Sequence, residues 1–168
     1  MQILCVDFMI WVSKQPSVMS NPVKQSESSL MQGRSVNNIY TQCNRKPQSC
    51  CLQLRNEFSK KGDEILVTVM EHHSNQLPWR VVAEKTGAAV KYIECNPDGT
   101  ITEEQLKQAF SEHTRLVAVT HISNVLGCKT PIKRITELAK ECGAVVVLDA
   151  SQSVPHIPVD VQSLDVDF

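Results

Sequence analysis

After residue 60 the sequence alternates between short apolar runs and segments with the spacing of amphipathic helices. The apolar runs cover residues 64–70, 89–94, 115–121 and 144–148. They are rich in β-branched residues and mostly continuous, which indicates strands that are buried on both faces. Because strands that alternate with helices are typical of parallel sheets, the pattern predicts an α/β fold of three layers, α/β/α, around a mostly parallel sheet.

Turn and cap residues indicate where the first two helices begin and end. One helix is predicted over residues 77–86, with Pro78 in its first turn and Gly87 at its end. A second helix is predicted to open at Thr102, where Gln105 in the third helical position completes a capping box.

A third helix is predicted to start at Thr130, with Pro131 in the first helical position and Gly143 at its end. Its apolar face consists of Ile132, Ile135, Leu138, Ala139 and Cys142. Such a stripe predicts that one side of this helix packs against the sheet.

The N-terminal third has a different composition. Residues 13–56 are rich in Ser, Gln, Asn and Lys and follow no sustained apolar period, so they form a poor candidate for a stable core. We therefore divide the chain into a polar N-terminal segment, residues 1–59, and an α/β domain, residues 60–168. The apolar start, residues 1–12, lacks a basic leading region and is interrupted by Asp7, which disfavours a secretory signal.

Charge and cysteine content disfavour several classes of function. The formal net charge is −1, from 17 basic and 18 acidic residues, so we expect no nucleic-acid or membrane partner. No apolar run approaches the roughly 20 residues that a membrane helix needs. The 7 cysteines are irregularly spaced and form no CxxC pair, which favours reduced thiols and a cytoplasmic location, with an organelle such as a plastid as the alternative.

Polar side chains follow the predicted strands at the points where these strands end. His72 comes after the first strand, Asn124 after the third, and both Asp149 and Gln152 after the fourth. Ligands of parallel α/β sheets bind beyond the carboxyl ends of the strands, so we expect these side chains at one edge of the sheet. Their types suit a cofactor site, a metal site or a nucleotide site, and each is also common in turns and caps.

The motifs around these residues resemble the cysteine desulfurases, in the branch that contains the SUF-type enzymes and the selenocysteine lyases. They are Met-Glu-His-His-Ser-Asn at 70–75 with Leu-Pro-Trp at 77–79, Thr-His-Ile-Ser-Asn-Val-Leu-Gly at 120–127, and Leu-Asp-Ala-Ser-Gln-Ser-Val-Pro-His at 148–156. Pro-Val-Asp-Val-Gln at 158–162 and Asp-Val-Asp-Phe at 165–168 continue the likeness. The motifs follow the family's order and approximate spacing.

This resemblance implies part of the large domain of a fold type I transferase that depends on pyridoxal 5′-phosphate (PLP), in the class-V aminotransferase group. Such enzymes work as homodimers. They convert L-cysteine into L-alanine and an enzyme-bound persulfide, whose sulfur goes to an acceptor protein for iron–sulfur cluster assembly. The resemblance therefore implies PLP as the cofactor and cysteine as the substrate.

The resemblance also implies a role for each of the four polar residues. His72 would stack its imidazole on the cofactor ring and take part in proton transfer, while Asp149 would pair with the pyridine nitrogen. Asn124 and Gln152 would donate hydrogen bonds to the phenolic oxygen of the ring. An anion beside the pyridine nitrogen favours the protonated ring, which makes the cofactor a better electron sink.

Several parts of the family pattern have no counterpart in this sequence. The lysine that forms the Schiff base with PLP is expected shortly after the position of Phe168, and the Gly-Thr-Thr phosphate-binding segment is expected before Lys60. The persulfide-forming cysteine and the substrate-binding arginine belong to a C-terminal domain. We therefore expect this chain to be catalytically incomplete when it is alone.

Three alternatives remain open from the sequence. One is a PLP enzyme segment of the selenocysteine lyase type, and another is a non-enzymatic remnant or interaction domain. The third is a metal-binding module that uses His72, His73, His121 and Asp149. A nucleotide-binding Rossmann domain is disfavoured, because neither GxGxxG nor GxxxxGK is present.

Overall fold

A computed structural model describes residues 60–168, which form a parallel sheet with helices on both of its faces. The elements in chain order are β1 (Glu64–Thr68), α1 (His73–Thr86), β2 (Ala89–Ile93), α2 (Glu103–Ala109), β3 (Thr114–Thr120), α3 (Ile132–Cys142), β4 (Val145–Asp149) and α4 (Val161–Leu164). The strand order in the sheet is β2-β1-β3-β4. Every strand pair is parallel, so all carboxyl ends lie at one edge.

Alternation of side chains along the strands divides the core into two clusters. On one face, Ile65 and Val67 of β1 pack against Trp79 of α1. On the other face, Leu66 of β1 packs in a cluster that includes Leu106 of α2 and, from α3, Ile135. Burial of one such side chain contributes roughly 1.5–3 kcal/mol to the free energy of folding. The helices on opposite faces confirm the predicted α/β/α layers.

The capping box at the start of α2 is confirmed. The Thr102 hydroxyl accepts a hydrogen bond from the Gln105 N–H at 3.3 Å, and the Gln105 Oε1 accepts one from the Thr102 N–H at 2.7 Å. At the end of α3, Gly143 adopts the left-handed conformation with φ 69°, as its position predicts. The capping box and the helix-ending glycine each involve residues that are close together in the sequence, so the sequence pattern alone is sufficient to identify them.

The predicted start of the first helix is wrong. Helix α1 begins at His73 and not at residue 77, which leaves Pro78 inside the helix. The reason is that His72 caps this helix, because its imidazole Nδ1 accepts a hydrogen bond from the Ser74 N–H at 3.2 Å. Histidine is not among the usual capping residues, whereas proline in a first turn is a common signal.

The predicted start of the third helix is also displaced. Pro131 occupies the N-cap of α3 instead of its first helical position, and no side chain caps the helix. The hydroxyl of Thr130 is buried and has no hydrogen-bond partner within the described residues. The start of α3 therefore keeps unsatisfied polar groups.

The last residues of the chain run alongside β4. The Phe168 N–H donates to the Val146 carbonyl at 3.1 Å, and the Leu148 N–H donates to the Phe168 carbonyl at 2.9 Å. This pattern is that of a parallel ladder. Residues 1–59 lie outside the described part of the chain, so the division into a polar segment and an α/β domain stays a prediction. Within residues 60–168, no helix has the length and apolar character that crossing a membrane requires.

Candidate functional site

The four predicted site residues lie at the carboxyl edge of the sheet. His72 is the N-cap of α1, and Asp149 is the last residue of β4. Asn124 lies in the loop after β3, and Gln152 lies in the turn after β4. No hydrogen bond joins any two of these four side chains within the described residues. The structure thus brings them to one edge without hydrogen bonds among them, and their roles stay predictions.

The ring of His72 is held by its role as a cap. Its Nδ1 accepts the Ser74 N–H and lies 2.8 Å from the Ser74 hydroxyl. A backbone N–H can only donate, so Nδ1 is unprotonated in this arrangement and a neutral ring carries its proton on Nε2. The side chain is exposed, and the adjacent His73 ring lies 6.3 Å away, centroid to centroid. His72 therefore presents an oriented ring with a free Nε2–H.

Asp149 is anchored by its backbone and by one carboxylate oxygen. Its carbonyl accepts the His121 N–H at 2.9 Å, and its Oδ1 accepts the Ser151 N–H at 3.0 Å. Asp149 is the register partner of Thr120, so both side chains lie on the face of the sheet that α1 covers. Among residues 60–168, nothing donates a hydrogen bond to Asp149 Oδ2. Because Asp149 is half-buried, its Oδ2 remains available to an N–H donor from a ligand.

Asn124 and Gln152 have less defined surroundings. Asn124 is exposed in a loop that an antiparallel bridge between Ile122 and Lys129 closes. Gln152 is half-buried in the turn that follows β4. Neither side-chain amide has a hydrogen-bond partner in the described part of the chain. Both amides therefore remain available as donors and acceptors at this edge.

Glu71 is a functional candidate that the sequence did not single out. Its Oε1 accepts hydrogen bonds from the Thr68 hydroxyl and the Thr120 N–H, both at 2.7 Å. Its Oε2 accepts one from the Asn75 amide at 2.6 Å. Burial, and to a smaller extent the nearby negative charge of Asp149, raise the pKa of Glu71 to about 7, although these hydrogen bonds act to lower it.

The burial of Glu71 depends on contacts that are distant in sequence. The Thr120 N–H that it accepts is 49 residues away. The available local signal was a carboxylate directly after a buried strand, next to a histidine pair. That signal marks Glu71 as a candidate for the site, but it does not reveal that the pKa of Glu71 is close to neutral.

His121 is a second residue whose environment the sequence did not show. It directly follows Thr120, so its side chain points to the opposite face of the sheet from Asp149. Its ring is buried, and neither nitrogen has a hydrogen-bond partner within the described residues. The four residues of the metal alternative therefore do not converge, and residues 60–168 contain no group of three His, Cys, Asp or Glu side chains placed to hold a metal ion.

Comparison with known proteins identifies the family to which this fold and these motifs correspond. The family model described as aminotransferase class-V matches residues 28–168, so the match begins within the polar N-terminal segment. A probable cysteine desulfurase from Synechocystis sp. is 51% identical over 109 residues, which cover 65% of this chain and 26% of that protein. The chain thus spans about a quarter of the length of this curated relative.

Two solved structures are similar in fold as well as in sequence. The cysteine desulfurase CsdA from Escherichia coli has a TM-score of 0.64 and 38% identity, over 68% of this chain and 28% of that one. A cysteine desulfurase from Thermococcus onnurineus has a TM-score of 0.67 and 37% identity, over 71% of this chain and 30% of that one. The fold, the motifs and the family match together show that the chain belongs to the aminotransferase class-V family.

Proposed function

We propose that this chain forms the ring-binding part of a PLP site in a cysteine desulfurase, which converts L-cysteine into L-alanine and an enzyme-bound persulfide. The observation that carries the proposal is the half-buried Asp149 carboxylate, with a free Oδ2, at the carboxyl edge of the sheet. The similarity to cysteine desulfurases from Synechocystis and Escherichia coli supports the choice of activity.

The chemistry of the donors fits the cofactor. Asp149 Oδ2 would accept the N–H of a protonated pyridine ring, a charge-assisted hydrogen bond of about 1.5–3 kcal/mol. Asn124 and Gln152 would donate their free amide N–H groups to the phenolic oxygen. When bound, the cofactor supplies an electron sink for the pair of electrons left on the substrate carbon.

His72 supplies an aromatic face and a proton site. Its Nδ1 is engaged by Ser74, which fixes the plane of the imidazole. A fixed plane allows the ring to stack on a flat cofactor without further loss of side-chain entropy. The Nε2–H can donate a hydrogen bond to a bound substrate. The doubly protonated ring can act as an acid only when Nδ1 no longer accepts the Ser74 N–H and has taken up a proton from the substrate or from solvent.

Glu71 controls the charge next to this site. With a pKa of about 7, the Glu71 carboxyl is largely protonated below neutral pH. Under that condition Glu71 adds no negative charge next to Asp149. Above neutral pH a second buried negative charge develops next to Asp149. We propose that Glu71 thereby couples cofactor binding to pH, with the protonated pyridine favoured further as Glu71 ionises.

L-cysteine as the substrate, a homodimer and a sulfur-acceptor protein belong to the same proposal. Apolar side chains in the loop after β3 support a contact surface near the site. Val125 is 81% exposed and Leu126 is 50% exposed. Exposed apolar side chains next to a ligand site are typical of interfaces. Sedimentation velocity of the full chain tests for the dimer. We expect a species with twice the mass of the monomer.

A segment exchange tests the proposed activity. Residues 60–168 would replace the matching segment of Escherichia coli CsdA, and alanine formation from L-cysteine would be measured together with the bound-cofactor absorbance. We expect the chimera to bind PLP and to form alanine, and we expect Asp149→Asn in the chimera to abolish most of this activity. A folded chimera that binds PLP but forms no alanine from L-cysteine would contradict the proposal.

A further inference from the structure

A cleft of about 400 Å³ lies between the end of β3, the start of α3 and α4. We call it the His121 cleft, and its lining includes His121, Lys129, Thr130, Lys133 and Leu164. It opens on the face of the sheet opposite Asp149, because His121 follows Thr120 by one residue and strand side chains alternate. The cleft is therefore separate from the candidate PLP site.

Two of the residues that line the cleft carry buried polar atoms without a hydrogen-bond partner in the described chain. His121 and Thr130 are each 2% exposed. Both ring nitrogens of His121 and the hydroxyl of Thr130 have no hydrogen-bond partner among residues 60–168. Buried polar groups are almost always hydrogen-bonded in native proteins, so these atoms mark a place where a bound polar group or an ordered water would add hydrogen bonds.

The start of α3 adds backbone donors at the same place. This 11-residue helix has no side-chain cap. The N–H groups of Ile132 and Ile135 donate to the carbonyls of Thr130 and Pro131. Within the described residues, the N–H groups of Lys133 and Arg134 have no acceptor. Free N–H groups and the positive end of the helix dipole together favour an anion.

Side-chain charge in the cleft is also positive. Neither Lys129 nor Lys133 pairs with a carboxylate in the described part of the chain. The charge of Arg134, in contrast, is balanced by Glu103 and Glu137. Burial and the charge of Lys129 lower the pKa of His121, which favours the neutral ring with one N–H donor.

We propose that the His121 cleft binds a small oxyanion, either a phosphoryl or a carboxylate group. The His121 N–H, the Thr130 hydroxyl and the first-turn N–H groups of α3 donate to its oxygens. Lys129 and Lys133 balance its charge, and the side chain of Leu164 contacts any apolar part of the ligand. These donors satisfy the polar groups that the fold leaves unpaired.

The experiment uses the full chain and two probes, sodium phosphate and sodium acetate, at constant ionic strength. Amide chemical shifts of the ¹⁵N-labelled protein are followed during each titration. Thr130→Val removes the hydroxyl at nearly constant volume, and Lys133→Gln removes one positive charge. Lys85→Gln, on the exposed surface of α1, is the matched control for the loss of a charge.

We expect saturable shifts of the Lys133 and Arg134 amides with at least one probe. Tighter binding of phosphate assigns a phosphoryl ligand, and tighter binding of acetate assigns a carboxylate. Thr130→Val and Lys133→Gln are each expected to weaken binding by about tenfold, since each removes a contact to a charged group, whereas Lys85→Gln leaves it unchanged. Shifts that do not saturate, or equal affinity in all three variants, would overturn the proposal.

Discussion

Replacement of Glu71 by glutamine separates the effect of a buried charge from the effect of the hydrogen bonds around it. Glu71→Gln keeps the shape of the side chain and one carbonyl acceptor for the Thr120 N–H. It removes the group whose pKa is raised by burial from 4.5 to about 7. The variant therefore tests whether this carboxyl is as deeply buried as the structure indicates.

The expected effect on stability follows from proton linkage. Between pH 4.5 and 7 the unfolded chain has released the proton of Glu71 while the folded chain still holds it, so the free energy of unfolding falls as pH rises. The fall begins near the unfolded pKa and is complete once the pH exceeds the folded pKa. For these two pKa values, the fall between pH 5 and pH 8 is roughly 2–3 kcal/mol.

Urea unfolding followed by far-UV circular dichroism at pH 5, 6, 7 and 8 measures this dependence. We expect the unmodified chain to show this fall of roughly 2–3 kcal/mol and Glu71→Gln to lack it. Glu84→Gln, at an exposed position on the same helix, makes the same chemical change and should retain it. If Glu71→Gln and the unmodified chain had parallel pH profiles, the buried-acid interpretation would be wrong.

Three further substitutions test the fold through their free energies of unfolding. Thr102→Ala removes the capping box of α2 and should cost about 1 kcal/mol. Ile135→Ala, at a fully buried position of α3, should cost roughly 2–5 kcal/mol. Gly99→Ala should cost more than its control Gly62→Ala, by about 1–3 kcal/mol. Both glycines have positive φ, but a Cβ on Gly99 would lie 2.5 Å from the Cys128 sulfur, whereas Gly62 has open space. Equal losses for the two glycine variants would show that Cys128 does not pack against this turn.

The sheet could be predicted because each strand and helix carries its own pattern. The apolar runs locate β1 to β4 within one or two residues, and Gly143 and the Thr102–Gln105 pair mark helix ends through neighbours in the sequence. The start of α1 was missed because Pro78 resembles a first-turn residue while the real cap is an imidazole. Local patterns are thus reliable where the stabilising contact is itself local.

The candidate site could be predicted only in part. Placing His72 and Asp149 at one edge requires only that the strands be parallel. The raised pKa of Glu71, in contrast, comes mainly from burial in the assembled sheet, with a smaller contribution from the charge of Asp149. Asp149 reaches Glu71 only through the pairing of β1 with β3 and of β3 with β4. The unsatisfied His121 likewise becomes visible only when the packing of α3 is known. Burial and pKa are properties of the assembled sheet and cannot be read from neighbouring residues.

The affinity for pyridoxamine 5′-phosphate tests most directly the central claim, that Asp149 is the partner of the cofactor ring. This compound has the ring and phosphate of PLP but no aldehyde, so lysine side chains cannot trap it covalently. Isothermal titration calorimetry would compare the unmodified chain with Asp149→Asn and with Asp98→Asn, a control in an exposed turn. We predict that Asp149→Asn weakens binding by about 10- to 150-fold, the value of one charge-assisted hydrogen bond, and that Asp98→Asn leaves it unchanged. Equal affinities for the unmodified chain and Asp149→Asn would contradict this account of the site.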